Sequence, residues 1–389
     1  MQEIRGTQTV IIGGGINGLS LAYNLAKMKH EAIVVEKRYC GSEGSGRNAG
    51  GVRQQGRLPA EVPLVMEATR IWDTLSDDLG VDTEFRRTGN IFLATTEAEL
   101  EAHHKMTERI RKQGLEVYVV DEKEARKIVP ALKKGVCKGG SYSPTCGMAN
   151  PYYTSLGYAS KVRNLGVEIM EYTTVTDIVT KNNRIDGVTT DKGYIKCDRV
   201  VIAAGSWSVE LGKNVGIDIP ITPCRNQMMV TEPIPPLVRP FLLTGTCYCN
   251  QTKNGNMIIG NVDPEDYCMG NSANVNEMKI SARNMLKYIP QLGDVNVIRT
   301  WGGPLDLTPD DMSILGNVDE VEGLVLACGF AGHGFATGPL IGKLLAQLIV
   351  FDKTELPIEP FRFSRFKEEI LKDEEVVYAY GQSVKKLRE

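Results

Sequence analysis

The sequence predicts an α/β fold, and three stretches carry that prediction. From Thr7 the chain reads "TQTVIIGGGINGLSLAYNLAKMKHEAIVVEK", a β-branched run, a glycine turn, a string of helix formers and a second β-branched run. "CDRVVIAAGSWS" (197–208) is a buried-strand pattern ending in a turn. "GLVLACGFAGHGFATGPLIGKLLAQLI" (323–349) is a strand, a glycine-rich turn and a long apolar helix.

The first stretch has a β-α-β pattern with G-x-G-x-x-G at its turn. Gly13 makes the tight turn, Gly15 leaves room for a pyrophosphate against backbone, and Gly18 lets the helix lie close on the strand. The helix N-terminus offers free N–H groups and the positive end of a dipole to phosphate. Glu36 ends the second strand about 20 residues on, where a carboxylate accepts from ribose hydroxyls and repels a 2′-phosphate. A dinucleotide other than NADP is expected; this stretch alone leaves FAD and NAD both open.

The third stretch favours a flavin. Glycines 329, 332, 334 and 338 let backbone approach a flat ligand, and the helix start offers N–H groups to an anionic ring edge.

The chain has 389 residues, room for more than one core, and a net charge of −3, which offers no basic footprint for nucleic acid or anionic membrane. Nine scattered cysteines without a C-x-x-C pair and only four histidines argue against a metal or iron-sulfur site. Free thiols suit a reducing compartment. The N-terminal apolar run is too short for a signal peptide, and 340–351 falls short of the roughly 20 residues of a span. A cytoplasmic protein is expected, with a small molecule or another protein as partner.

"GSEGSGRNAGGVRQQGR" (41–57) follows the second strand, lacks a hydrophobic period and contains Arg47, Arg53 and Arg57. On composition it reads as a flexible, cationic loop, and a solvated surface is its simplest explanation.

Taken in order, "GGGINGLSLAYNLAK", "GSGRNAGGVRQQ", "VVIAAGSWS", "TPDDMSILG" and "GFAGHGFATGP" resemble the D-amino-acid oxidase superfamily of flavoproteins, over about residues 7–350. Sarcosine oxidase β subunits, dye-linked proline dehydrogenase β subunits, glycine oxidase, opine dehydrogenases and hydrogen cyanide synthase are the nearest groups. The resemblance implies a Rossmann-like, glutathione-reductase-like FAD domain (1–81 with 147–224 and 300–389). An inserted antiparallel-sheet domain for the substrate takes 82–146 with 225–299. The α/β class is thereby extended to α/β plus α+β, and the strand-like runs "TGNIFLATT", "NQMMVTEPI" and "GNMIIGNV" fall in the insert.

The resemblance also implies where FAD is held. Its first turn brings Gly13, Gly15, Ile16, Asn17 and Gly18; the second strand's end brings Glu36 and Lys37. The following loop brings Ser45, Arg47, Asn48, Gly50 and Gly51, and the middle segments bring Val175, Ala204, Gly205 and Trp207. Gly303, Gly329, Gly332, His333, Gly334, Phe335, Ala336 and Thr337 complete the set. No cysteine stands near Gly303, where monomeric sarcosine oxidases tether flavin, so the FAD is expected to be non-covalent. "CGMANPYYTSLGYAS" has no histidine, so it cannot carry the covalent FMN of heterotetrameric relatives; a non-covalent second FMN at a subunit interface stays open. Ile258 takes the place of an oxygen-activating lysine, which implies a protein or quinone acceptor rather than O₂.

A flavin performs the oxidation itself, so the protein's task is orientation, chiefly a cation for the substrate carboxylate. Arg53 matches the family's arginine beside the flavin; His333 and Tyr248 are further active-site candidates, with Tyr267 another possible pocket residue. Arg47 and Asn48 suit loop and FAD support. The expected activity is oxidation of a C–N bond in a small amino or imino acid, of proline, hydroxyproline, sarcosine or opine type. It would proceed by hydride transfer from the α carbon to flavin N5, within a complex that passes electrons onward. Two other readings are a 2-hydroxy-acid dehydrogenase and a flavin-bearing relay or assembly subunit.

Overall fold

Thr9, Val10, Ile11 and Ile12 are all buried, as a strand covered on both faces requires. A computed structural model, which describes residues 3–262 and 268–368, places them at the centre of an eight-stranded sheet. Glu3–Ile12 pairs in parallel with Gly193–Ile202 on one side and Ala32–Val35 on the other. Leu324–Cys328 and Glu168–Met170 extend the parallel array outward. All three stretches that predicted α/β therefore enter one sheet.

One face of this sheet is covered by the helices Ile16–Lys27, Val62–Leu79 and Gly334–Phe351. The last contains the apolar run 340–351, which by itself is too short to span a membrane. It has 18 residues and is long and apolar enough to cross a membrane, but 72% of it is buried inside the protein. It lies close on Ile16–Lys27: Ser20 Oγ donates to the Pro339 carbonyl at 3.1 Å, and a Cβ on Gly342 would overlap Ser20. Gly342→Val is expected to destabilise the fold by about 1–3 kcal/mol through overpacking. A lowered urea midpoint at unchanged m-value would show it.

The second sheet also has eight strands, in the order Val297–Leu307, Thr222–Pro233, Asn256–Asn261, Cys247–Gln251, Phe241–Leu243, Asn90–Ala94, Gly139–Ser143 and Tyr118–Asp121. Its pairings are antiparallel except the one between Phe241–Leu243 and Asn90–Ala94. The divisions expected at 224/225 and 299/300 cut through the strands Thr222–Pro233 and Val297–Leu307, which are continuous. One face packs on helix Val275–Tyr288 and takes Cys247, Cys249, Met257 and Ile259. The other carries Met228, Phe241, Leu243 and Tyr248, with Ile258 and Trp301 against them.

The 41–57 segment joins that second face to the first sheet, and it is not a solvated loop. Gly44–Arg47 forms one helical turn, and Gly51–Val52 pairs with Gly147–Met148. Asn250 Nδ2 donates to the Ala49 carbonyl at 2.7 Å, Trp301 Nε1 to the Arg47 carbonyl at 2.9 Å, and Gln55 Nε2 to Asn90 Oδ1 at 2.8 Å. Arg53 and Arg57 are left only 6% and 2% exposed. Composition could not show this, because the covering groups come from strands far along the chain.

Candidate functional site

A cavity of about 420 Å³ opens at the carboxyl ends of the parallel strands, where nucleotide sites of open α/β sheets lie. Gly13 and Gly15 form its floor at the start of helix Ile16–Lys27, and Ser45 Oγ accepts from the Ile16 N–H at 2.9 Å. Gly13 has φ +117, and a Cβ there would overlap the Ala203 carbonyl oxygen, so the position demands glycine. Gly18 works behind the wall: a Cβ on it would overlap the Gly13 carbonyl and sit 3.2 Å from Ile11 Cγ2.

Glu36 lines the cavity with each carboxylate oxygen already accepting one backbone N–H, from Gly14 at 2.8 Å and Arg38 at 2.7 Å. Burial raises its pKa, while those two bonds and Lys37 pull the other way. Each oxygen keeps a lone pair for a further donor. Lys37 Nζ sits 3.2 Å from the centre of the Trp207 ring, and both side chains line the cavity. Asn48, Val175, Ala204, Gly205, Gly332, Gly334 and Phe335 line it too, as does Asn17, whose buried Oδ1 has no hydrogen-bond partner among the described residues.

The remaining expected positions stand outside the cavity lining. Arg47 is tied to the carbonyls of Ser42 at 2.7 Å and Gly302 at 3.2 Å. Gly303 faces Arg47, with a Cβ there 3.2 Å from Arg47 Cβ. Gly50, Gly51, Gly329, His333, Ala336 and Thr337 shape the surrounding turns, and Ile16 contributes its N–H to Ser45.

Sequence reasoning missed Ser42, Glu43, Thr173, Thr174 and Asp306, all of which line the cavity. Asp306 is the most informative of them. Its Oδ2 accepts from the Gly329 N–H at 2.8 Å and its carbonyl from the Ala331 N–H at 3.2 Å, which folds the glycine-rich turn around it. Burial pushes its pKa up to about 6. A lone acid in the otherwise apolar run "GGPLDL" was the available signal.

Beyond the glycine-rich turn lies a second cluster. The Arg53 guanidinium stands 5.7 Å from the Phe241 ring centre, and Phe241 stacks on Tyr248 at 5.7 Å. Arg53 Nη1 has no hydrogen-bond acceptor among the described residues. Tyr248 is 6% exposed and its ring lies over Gly260. His333 Nδ1 is 2.8 Å from Glu61 Oε1, and both are buried. Desolvation and the charges of Arg57 and Arg53 pull the His333 pKa down to about 4, against the opposing pull of Glu61. Tyr267 lies outside the described residues.

Asp311 adds strain nearby. It has φ +56, its Oδ1 is buried without a partner among the described residues, and burial, with Asp310 and Glu61, pushes its pKa up to about 7. A carboxyl raised from 3.8 to about 7 contributes stability in full at low pH and loses it as pH rises through about 7. Asp311→Asn tolerates the same backbone and carries no charge. Its Tm is expected to exceed that of the unsubstituted protein by about 2 °C at pH 8 and to match it at pH 4, as scanning calorimetry at the two pH values would reveal.

The fit to FAD is now testable on the protein itself. A glycine floor at a helix N-terminus, an acid at the second strand's end, an unpartnered Asn17 Oδ1 and a second glycine-rich turn suit a dinucleotide with a flat ring. Residues 8–348 match the family model described as FAD dependent oxidoreductase (DAO). The chain belongs to this family.

Other proteins match this FAD-dependent oxidoreductase over most of its length. It is 32% identical to an L-proline dehydrogenase from P. horikoshii whose crystal structure superposes with a TM-score of 0.89, over 93% of this chain and 98% of that one. Glycine oxidase from Geobacillus kaustophilus superposes with a TM-score of 0.88 at 25% identity, over 93% and 99%. Hydrogen cyanide synthase subunit HcnC of Pseudomonas aeruginosa is 29% identical over 92% of this chain and 96% of its own length. Sarcosine oxidase subunit beta of Rhodobacter capsulatus is 27% identical over 94% and 90%.

Proposed function

We propose that this oxidoreductase oxidises the C–N bond of a small amino or imino acid, of proline, hydroxyproline, sarcosine or opine type. The observation that carries the reading is Arg53. A buried guanidinium whose Nη1 has no partner among the described residues, set beside an aromatic wall, is suited to a ligand carboxylate. FAD, when bound, would supply the two-electron acceptor for oxidation of the C–N bond to an imine. The chain's own residues do the rest. In this reading Gly13, Gly15, Asn17, Ser45, Asn48 and Glu36 hold the dinucleotide, Arg53 anchors the carboxylate, and Phe241 and Tyr248 keep water from the carbon undergoing oxidation.

Ile258 supports a dehydrogenase rather than an oxidase. It packs in the apolar cluster with Tyr248 and Met228, so no cation stands at that position to assist O₂ reduction. Electrons would pass to a protein or quinone. Two relatives are named as subunits of larger enzymes, which supports work within a complex. Nine unpaired thiols fit a reducing, cytoplasmic setting.

Anaerobic bleaching of the bound flavin tests the reading. A panel of L- and D-imino acids, N-methyl amino acids and 2-hydroxy acids is added, and the compound that bleaches identifies the substrate class. Bleaching by a hydroxy acid alone would overturn it in favour of alcohol oxidation; bleaching by none would favour an electron-relay subunit.

A further inference from the structure

Glu61 and His333 are 272 residues apart in sequence, yet their side chains meet at 2.8 Å in the interior. Each is fixed from behind. Glu61 Oε2 accepts from the Leu58 N–H at 3.1 Å. The His333 N–H donates to the Phe330 carbonyl at 2.8 Å, and the His333 carbonyl accepts from Thr337 Oγ1 at 3.1 Å. The charged groups acting on the pair are Arg57 and Arg53 on the cationic side and Asp311 on the acidic side. Burial raises the Glu61 pKa, but electrostatic attraction to His333 and the hydrogen bond with it, followed by Arg57 and the Leu58 N–H, outweigh burial and hold it below its ordinary value, in the carboxylate form.

A carboxylate can only accept, so the proton between the two side chains belongs to His333 Nδ1. With the histidine neutral, Nε2 is left as a lone pair, and it makes no hydrogen bond among the described residues. We propose that Glu61 is a positioning residue: it holds His333 in the Nδ1–H tautomer so that Nε2 presents a hydrogen-bond acceptor to an N–H of the bound amino or imino acid. The inference rests on the proposed substrate class. It gives the site two readers of opposite sense, a guanidinium donor for the carboxylate and an imidazole acceptor for the nitrogen. A hydroxy acid could satisfy the acceptor through its O–H, but a ring ether could not.

The chain has four histidines, so ¹³C,¹⁵N-histidine NMR of the holoprotein can resolve His333, assigned by loss of its signal in His333→Gln. At pH 7 the ring is expected as the neutral Nδ1–H tautomer, switching to Nε2–H in Glu61→Gln, whose amide can donate to Nδ1. A wild-type ring found as Nε2–H or as imidazolium overturns the proposal even if the variant fails to fold. An unchanged tautomer in a folded Glu61→Gln overturns it as well.

The ligand side uses two unreactive carboxylates of one shape, pyrrole-2-carboxylate with a ring N–H and furan-2-carboxylate with a ring oxygen. The wild type is expected to bind the pyrrole roughly tenfold more tightly, and Glu61→Gln to lose that preference. Equal affinity of the wild type for both overturns the acceptor role. Failure of both to bind, with the Nδ1–H tautomer present, counts against the amino-acid reading of the site and leaves the tautomer assignment standing.

Discussion

Arg53→Ala is expected to raise the apparent KM for the amino-acid substrate by about 10- to 100-fold while the flavin content of the purified protein stays unchanged. The size follows from the loss of hydrogen bonds between a buried cation and a carboxylate, about 1.5–3 kcal/mol. The unchanged flavin content follows from position, because Arg53 does not line the dinucleotide cavity. Arg53→Lys is expected to recover only part of the loss. An ammonium cannot reproduce the two parallel donors of a guanidinium. Stopped-flow bleaching over a range of substrate concentrations separates affinity from the rate of reduction; unaltered half-saturation in Arg53→Ala would remove the residue from the site.

Gly13→Ala is expected to weaken FAD binding by about 10- to 100-fold, the equivalent of the 1–3 kcal/mol stored in a strained backbone position. The added Cβ overlaps the Ala203 carbonyl at a φ of +117, so either the turn or the strand end carrying Ala203 must move. Both border the cavity. Gly205→Ala is the matched control. It also lines the cavity and has positive φ, +52, but its Cβ would meet nothing within 4 Å. Fluorescence titration of the apoproteins with FAD should therefore show a large loss for Gly13→Ala and a small one for Gly205→Ala. Equal losses would mean that backbone strain, rather than the close approach of two strand ends, sets the requirement for glycine at residue 13.

What could be read in the sequence was local. The Thr9–Ile12 strand, the glycine turn, the helix and Glu36 lie within about thirty residues, and their spacing and chemistry specify one another. The glycine-rich turn at 329–334 was legible for the same reason. Asp306, which folds that turn, lies over twenty residues upstream on a strand of the other sheet, where nothing local marks it. The arginines of 41–57 looked solvated because their cover, Phe241, Asn250, Asn90 and Trp301, comes from the second sheet. Glu61 carried no signal at all, since its partner His333 is near the other end of the chain. The domain cuts at 224/225 and 299/300 missed the strand ends because composition does not change along a strand that serves two neighbourhoods.

The segment 41–57 has one more consequence. Ser45 and Asn48 face the dinucleotide cavity, while the carbonyls of Arg47 and Ala49, on either side of Asn48, hold Trp301 and Asn250 of the second sheet. The cavity lining and the grip on the second sheet are thus one residue apart on the same backbone. A ligand that tightens Asn48 in the cavity is therefore expected to steady the seating of the second sheet as well. FAD is thereby expected to serve as mortar between the two sheets as well as a redox group.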